Sequence, residues 1–288
     1  MTILKEFLDS YFLWRDPMIV GAVSGAVCGF LGVYVVLRRI IFVSAALTQI
    51  SSFGVALSFY LEAFSLGVIS AFIHPFVLSV VFTSLAAVFF AAKRDFSRIS
   101  QEGVIGFGFL IASGAVIILG DRITKGAHDI ADILFGSAVV VDPRDVYIIP
   151  SVALVVMITH IVFFKDFVFV SYDEESARLF KYPVRTINTA LLISIAVVVA
   201  VATRALGALP VFAFLALPPL TSLYLTERLK LVFVISVILG VLSATLGYFF
   251  SFVLSIPTGA SMTVCASVFF ILGVVWREVK IKVNQPIW

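Results

Sequence analysis

Nine continuous apolar stretches constrain this chain more than any other feature of its sequence. Each is long enough for an α-helix to cross the roughly 30 Å hydrocarbon core of a bilayer. None shows the alternation of polar and apolar residues that is typical of membrane β-barrel strands. The sequence therefore predicts an all-α, polytopic membrane bundle of about 8–9 transmembrane helices. The stretches lie near residues 17–37, 40–61, 66–92, 103–120, 146–164, 186–203, 206–225, 230–254 and 258–276.

The composition excludes a soluble fold. Hydrophobic residues make up 61% of the 288 residues, charged residues make up only 13%, and the mean hydropathy is +1.16. A soluble domain has roughly half apolar and a quarter charged residues. The net charge of +3 is small and lies in the loops, so it does not indicate a nucleic-acid partner. We therefore expect one transmembrane domain over residues 1–288, located in the cell (inner) membrane.

Basic residues recur at every second loop, which indicates the orientation of the bundle. Cytoplasmic loops of membrane proteins carry an excess of lysine and arginine. The loops expected to be cytoplasmic are 38–39, 93–102, 165–185 and 226–230, together with the C-terminal tail. The loops expected to face outward are 62–66, 121–145, 204–206 and 255–257. The N-terminus would also face outward if all nine stretches cross the membrane.

Two segments depart from a simple spanning pattern. Residues 1–16 mix charged and apolar side chains and lack the apolar core and cleavage site of a signal peptide. We expect them to form a short amphipathic helix at the membrane interface. The stretch 206–225 contains Pro210, Pro218 and Pro219. These prolines favour a broken or partly re-entrant helix there, which would remove one crossing.

The chain carries no motif for energy coupling or catalysis. It lacks the glycine-rich loop ending in GK[ST] that cradles nucleotide phosphates, and it has no HExxH or CxxC motif. Cys28 and Cys265 both lie in apolar stretches, where a thiol packs as a small hydrophobic group. We therefore do not expect an enzyme, and transport, sensing and assembly within a membrane complex remain.

The longest polar cytoplasmic stretch is the segment 171–185. Asp173, Glu174 and Glu175 stand where acidic residues complement the dipole of a starting helix, and Pro183 would end that helix. This pattern predicts a short cytoplasmic helix at about 173–181. Its apolar residues need a partner surface, and two alternatives are about equal from the pattern alone. The helix either packs on the bundle at the interface or docks on another subunit.

Segments along almost the whole chain are similar to the permease subunits of zinc- and manganese-uptake ABC transporters. They are LGVYVVLRRIIFVSAALTQISSFGVAL, QEGVIGFGFLIASGAVIIL, DILFGSAVVV, the polar segment itself, TRALGALPVFAFLALPPLTSLYL and SIPTGASMTV. The resemblance implies a homodimer of permeases, two cytoplasmic ATP-binding subunits and an extracytoplasmic solute-binding protein. It implies that this chain binds no cofactor, that the partner binds ATP, and that the cargo is a divalent metal.

The resemblance also implies that Glu174 to Tyr182 forms a coupling helix that fits a groove on the ATPase. Leu179 and Phe180 would then enter that groove. The residues that would take part in coupling are Glu174, Glu175, Ala177, Arg178, Leu179, Phe180 and Tyr182.

The presumed metal path is where the sequence departs from the family. Such permeases usually carry an aspartate in the second spanning helix and a histidine four residues later, which places both on one helix face. Ala45 and Gln49 occupy those positions here. Neutral oxygens bind transition metals less well than a carboxylate and an imidazole. The candidate path residues are Ser44, Ala45, Thr48, Gln49 and Ser52, although their polar groups could instead form bonds between helices.

Other ionisable residues are also candidate ligands. His74 and His160 lie within spanning stretches, where such groups often have functional roles. Each stands alone, which favours a neutral hydrogen-bonding or interface role. The outer loop carries a cluster at helical spacing that could receive a cation or could only contact a binding protein. This cluster is His128, Asp129 and Asp132.

Two other functions stay open. One is a permease of the same architecture for a different solute, and the other is a stand-alone secondary transporter or membrane scaffold. An ion-driven secondary transporter usually carries buried acidic or lysine residues near the bilayer centre. No stretch carries one at its middle, which favours energy supplied by a partner subunit.

Overall fold

Helices make up most of the part of the chain that the computed structural model describes, residues 11–64, 74–92, 100–122 and 141–284. No strand occurs within these ranges. The helices are α1 (Tyr11–Leu37), α2 (Ile41–Phe64), α3 (Pro75–Ala91), α4 (Gln101–Arg122), α5 (Asp145–Val162), α6 (Phe164–Tyr172), α7 (Glu174–Leu179), α8 (Val184–Leu206), α9 (Ala208–Leu225), α10 (Leu229–Leu254) and α11 (Thr258–Asn284).

The prediction of a polytopic helical bundle is confirmed. Within the described ranges, 8 helices are long and apolar enough to cross a membrane, and α3 is a shorter apolar helix of 17 residues. The core lies between α1, α8, α9 and α10, where Val20, Leu31, Leu191 and Phe214 are fully buried. Helices α4 and α5 lie at the periphery, since most of their residues are not buried.

The backbones of α1 and α10 lie in close contact. A Cβ atom on Gly25 would overlap the backbone carbonyl of Gly240, and one on Gly240 would overlap the carbonyl of Gly25. One turn away, the Ser236 hydroxyl donates a hydrogen bond of 2.7 Å to the carbonyl of Gly29. Small residues permit this backbone contact. In lipid, burying apolar side chains drives helix association only weakly, so the close van der Waals packing of the two backbones is an important source of stability.

Helix α9 corrects the prediction of a broken or re-entrant segment at 206–225. It runs without interruption from Ala208 to Leu225 and includes Pro218 and Pro219. A proline at 219 cannot bond the carbonyl of Leu215. Gly32 of α1 packs directly against that carbonyl and the Pro219 ring. The neighbouring helix therefore stabilises α9 where its own hydrogen bonding is weakest.

The prediction for residues 1–16 is also wrong in its boundary. Residues 11–16 belong to α1, which continues through Pro17, while residues 1–10 lie outside the described residues. The charges of this segment do not end the helix. Arg15 donates a hydrogen bond of 2.8 Å to the neighbouring carboxylate of Asp16, so the two charges lie beside each other on the exposed start of α1.

Loops predicted to share one side of the membrane do meet. Arg38, in the turn between α1 and α2, pairs with Glu174 of α7. At the opposite end of the bundle, Arg204 of α8 pairs with Asp142 and Asp145 at the start of α5. The relative sidedness of these loops is therefore confirmed, and the assignment of the Arg38 end to the cytoplasm stays a prediction.

We predict that Gly240→Ala destabilises the protein by about 1–3 kcal/mol, because the new methyl group meets the Gly25 backbone, which cannot move aside like a side chain. Gly114→Ala is the matched control. A Cβ at Gly114 meets nothing within 4 Å. Thermal unfolding of both purified variants in detergent measures the difference. Equal unfolding temperatures would show that the α1–α10 contact is looser than described.

Candidate functional site

The polar segment and the residues just before it form two short helices, α6 and α7, at the Arg38 end of the bundle. Asp173 separates α6 from α7 and caps α7, since its Oδ1 accepts a hydrogen bond of 2.9 Å from the amide of Ser176. Hydrogen bonds from the side chain and the backbone of Ser176 hold the pKa of the Asp173 carboxyl below its usual value. A charged cap at the start of a helix also complements the helix dipole.

The predicted helix at 173–181 is confirmed, although its end is placed differently. Helix α7 ends at Leu179, and Lys181 takes a left-handed conformation with a φ of 59°. Pro183 does not end α7. It stands at the start of α8, where its missing amide hydrogen costs no helical bond.

The coupling candidates divide between two faces of α7. Ala177 is fully buried and packs with Val170 of α6 and Val184 of α8. Leu179 and Phe180 are largely exposed, at 83% and 73% of their surfaces, and the Phe180 ring lies 6.2 Å from that of Phe169 in α6. The exposed members of the set also include Glu175 and Arg178, while Tyr182 is 39% exposed.

Ionic contacts attach this segment to the bundle. An Arg38 nitrogen lies 3.9 Å from a carboxylate oxygen of Glu174, and the same nitrogen donates a hydrogen bond to the side chain of Asn188. Glu174 also pairs with Arg178 at 2.5 Å. Burial lowers the pKa of the Arg38 guanidinium from its usual value, and Glu174 opposes that shift. Arg38 therefore joins the start of α2, α7 and α8 at one point.

An aromatic cluster attaches α6 to the core. The Phe167 ring stacks on His160 of α5, with centroids 4.1 Å apart, and lies 6.1 Å from Tyr34 of α1. His160 was expected to make a neutral hydrogen bond or lie at an interface. It is fully buried, and neither ring nitrogen has a partner among the described residues. Its contacts are aromatic, so the hydrogen-bonding expectation is wrong.

The hydroxyls of the candidate path are mostly used within their own helix. Ser44 donates to the carbonyl of Ile41 at 2.6 Å, and Thr48 donates to the carbonyl of Ala45 at 2.8 Å. Such bonds to the preceding turn satisfy a hydroxyl without a partner helix. These two residues therefore support the structural alternative more than a path role.

One hydroxyl chain does cross between helices. Ser51 and Ser79 share a hydrogen bond of 2.9 Å, and Ser79 also donates to the carbonyl of Ala200 at 3.3 Å. Gly54 allows α3 to approach this closely, because a Cβ there would lie 2.7 Å from the Cα of Ser79. The chain joins α2, α3 and α8. Ser79 was not among the predicted site residues.

Gln49 and Ser52 are the candidates left without partners. The Gln49 Oε1 and the Ser52 Oγ are buried and accept or donate no hydrogen bond among the described residues. They stand three residues apart, so they share one face of α2. Gln49 lies about 12 Å from the start of a helix about 36 Å long, nearer to the Arg38 end than to the other end. Ala45 is buried one turn away.

The remaining metal candidates are not brought together. His128, Asp129 and Asp132 lie outside the described residues. Within the residues that the structure covers, no group of three histidine, cysteine, aspartate or glutamate residues is placed to hold a metal. His74 stands at the start of α3, where its Nδ1 accepts a hydrogen bond of 3.3 Å from the amide of Phe76. It is a helix cap.

Residues 10–277 match the model of the ABC 3 transport family. The chain is 27% identical to the manganese transport system membrane protein MntC of Halalkalibacterium halodurans, covering 95% of this chain and 90% of that protein. It is 26% identical to the manganese import system permease protein ScaB of Streptococcus gordonii, covering 94% and 95%. A solved structure of PsaBC from Streptococcus pneumoniae in complex with Fab matches with a TM-score of 0.81 and 26% identity, over 94% and 95% of the two chains.

We predict that Arg38→Gln loosens α7, because the variant keeps a polar side chain and loses the charge that holds Glu174. Hydrogen exchange of the amides of residues 174–182 should become faster. Arg39→Gln is the matched control, since Arg39 is exposed in the same turn. Equal exchange in the two variants would show that packing of Ala177 alone holds α7.

Proposed function

This chain belongs to the ABC 3 transport family, and we propose that it is the membrane-spanning permease subunit of an ABC importer for a divalent transition metal. The match over residues 10–277 carries the proposal, because it covers every described spanning helix from α1 to the first part of α11. A multi-pass helical bundle without a nucleotide-binding loop suits a transport subunit that takes its energy from a partner.

Manganese is the first cargo that we propose. The names of the relatives MntC and ScaB support it. Zinc, which the sequence resemblance also implies, is the second candidate. The neutral residues Ala45 and Gln49 favour weak binding of the ion. The only ligand that they offer is the side-chain carbonyl oxygen of Gln49, which carries no full charge. The same pair is the one observation that favours a different solute in a permease of this architecture.

Three partners complete the proposed importer. A cytoplasmic ATP-binding subunit binds α7, a second copy of this chain forms the other half of the path, and a solute-binding protein delivers the ion from outside. The exposed pair Leu179 and Phe180 supports the contact with the ATP-binding subunit. Large apolar side chains exposed to water are unfavourable, and covering them with a partner lowers the free energy of the complex. ATP is bound by the partner, and the metal passes through as cargo.

The proposal is tested by manganese uptake. The chain is expressed with an ATP-binding subunit and a solute-binding protein of the proposed importer, in cells that lack their own manganese importers. We expect ATP-dependent uptake of radioactive manganese that requires all three proteins. Zinc is added as competitor to rank the two metals. Uptake of neither metal above that of cells without the chain would overturn the assignment of the cargo.

We predict that the double variant Leu179→Ser, Phe180→Ser loses most transport, by at least about tenfold, because the docking contact loses its apolar anchors. The amount of protein in the membrane should stay the same, since neither side chain packs in the core. Leu254→Ser, Ile256→Ser is the matched control, as both residues are exposed at the opposite end. Copurification with the ATPase is the direct readout, and full retention of the ATPase by the double variant would contradict the docking role.

A second prediction concerns the metal path. Ala45→Asp with Gln49→His should raise manganese or zinc affinity of the purified permease, because a carboxylate and an imidazole would lie one helical turn apart on one face. Gln49→Ala should change the transport rate without lowering the unfolding temperature, since Oε1 makes no bond that the variant could lose. Isothermal titration and uptake measure the two effects. Ser44→Ala is the control, and transport indifferent to Gln49→Ala would remove Gln49 from the path.

A further inference from the structure

A large cavity opens at the Arg38 end of the bundle, between the end of α3, α7 and the start of α8. Its volume is about 590 Å³, which lies within the range of roughly 300–1,000 Å³ that is typical of ligand pockets. Ala91 and Ala92 line it on the α3 side, and residues of α7 and of the beginning of α8 supply its polar wall. We call this cavity the α7 pocket. Its polar and charged lining residues are Glu174, Arg178, Tyr182, Arg185, Thr186 and Asn188.

The charges around the α7 pocket do not balance. Arg178 and Arg185 line it, and Glu174 is the one acidic residue among the described residues that do so. Glu174 is already shared, because it pairs with Arg178 at 2.5 Å and with Arg38 at 3.9 Å. Arg185 is exposed and forms no ion pair within the described ranges. The pocket therefore keeps a net positive charge, which favours an anionic occupant.

Two arginines at one pocket favour carboxylates or phosphates as ligands. A guanidinium presents a planar set of donors that binds either group through two parallel hydrogen bonds. The side chain of Arg178 is 56% exposed, and its pair with Glu174 is made through Nη2. An arginine has several further N–H donors. Arg178 can therefore bind a second anion while Glu174 stays in place.

The position of the α7 pocket distinguishes between these two anions. Arg178 directly precedes Leu179 and Phe180, the exposed apolar pair on which the ATP-binding subunit is proposed to dock. Tyr182, which follows that pair, lines the pocket as well. A partner that covers the apolar pair would therefore also lie against the pocket, and protein interfaces commonly surround an apolar centre with complementary charges. This continuity favours carboxylates of the partner over the phosphate headgroup of a lipid, which would have to occupy the same place.

We infer that the α7 pocket receives an acidic segment of the ATP-binding subunit, whose carboxylates pair with Arg178 and Arg185 beside the apolar contact of Leu179 and Phe180. The inference rests on the proposed function and deepens it, because it gives the partner a second, electrostatic point of attachment. Complementary charges at such a place fix the orientation of the partner and speed its association. Both effects weaken as the salt concentration rises.

Binding of the ATP-binding subunit to the purified, full-length permease tests the charge requirement. The two proteins are mixed in detergent at rising concentrations of sodium chloride, and the dissociation constant is measured at each one. We expect Arg178→Gln with Arg185→Gln to weaken binding by about tenfold or more at low salt and to make it much less sensitive to salt. Arg39→Gln is the matched control, since Arg39 is exposed at the same end and does not line the pocket.

Single variants separate loss of docking from loosening of α7. Arg185→Gln leaves the pair of Arg178 with Glu174 in place, so hydrogen exchange of the amides of residues 174–182 should stay unchanged while binding weakens. Arg185→Lys keeps the charge without the paired donors and should restore part of the affinity. A merely structural role of Arg185 would change the exchange rates and would not alter the response of binding to salt.

A photo-cross-linker identifies the occupant of the pocket. Thr186 lines the α7 pocket and is exposed, so it is replaced by p-benzoylphenylalanine in the full chain, which is coexpressed with the ATP-binding subunit. We expect a cross-link to a segment of that subunit that carries aspartate or glutamate, and mass spectrometry locates the segment. The same replacement of Tyr147, which is exposed at the opposite end of the bundle, should give no such cross-link.

Three outcomes would overturn the inference. These are equal binding by the double variant and the Arg39→Gln control, a cross-link from residue 186 to lipid or to no protein, and a cross-link to a segment without acidic residues. If the subunit binds the unmodified chain and the double variant equally, only the α7 pocket fails. If it does not bind the unmodified chain at all, the proposed function fails and the inference falls with it. Manganese uptake is measured in parallel, and binding as predicted without uptake would remove only the proposed cargo.

Discussion

The close contact of α1 with its neighbours is the interaction on which the rest of the bundle depends. Lipid tails are as apolar as the side chains, so moving a side chain from lipid into the bundle gains little free energy. Helices in a membrane therefore associate through close packing and hydrogen bonds. Gly25 brings α1 against α10, and Gly32 brings it against α9 at the carbonyl freed by Pro219. The other end of α1 leads through Arg38 to α7. One helix thus sets the position of the core and of the docking segment.

Polar groups in this protein fall into two classes that have different consequences. Most hydroxyls of the spanning helices donate to the carbonyl three or four residues earlier, as Ser44 and Thr48 do, and such groups need nothing from outside their helix. A few buried groups lack partners among the described residues. They include Gln49 and Ser52 on α2, Ser24 and Tyr34 on α1, and His160 on α5. Their lack of partners costs stability in this conformation.

The sequence was sufficient for the spans and for the short helix at 173–181, because both depend on local pattern: apolar length in the first case and acidic residues followed by a turn in the second. It was not sufficient for contacts between distant residues. The partners Arg204 and Asp145 are 59 positions apart, and each looks like an ordinary loop charge in the sequence. Helix α6 was missed because residues 165–172 were counted as part of a cytoplasmic loop and Phe164 as the end of a spanning stretch. The unbroken α9 was missed because the support comes from Gly32, on another helix.

The turn between α8 and α9 is a single residue, Gly207, with a φ of 89°. Its amide donates a hydrogen bond of 2.8 Å to the carbonyl of Thr203. No flexible linker therefore separates the two helices. A residue with a side chain would be strained at this angle. Because the joint is so short, a displacement of the end of α8 must carry the beginning of α9 with it. Helix α9 packs against α1, α10 and α11. A movement of the end of α8 would therefore be transmitted through α9 to these three helices.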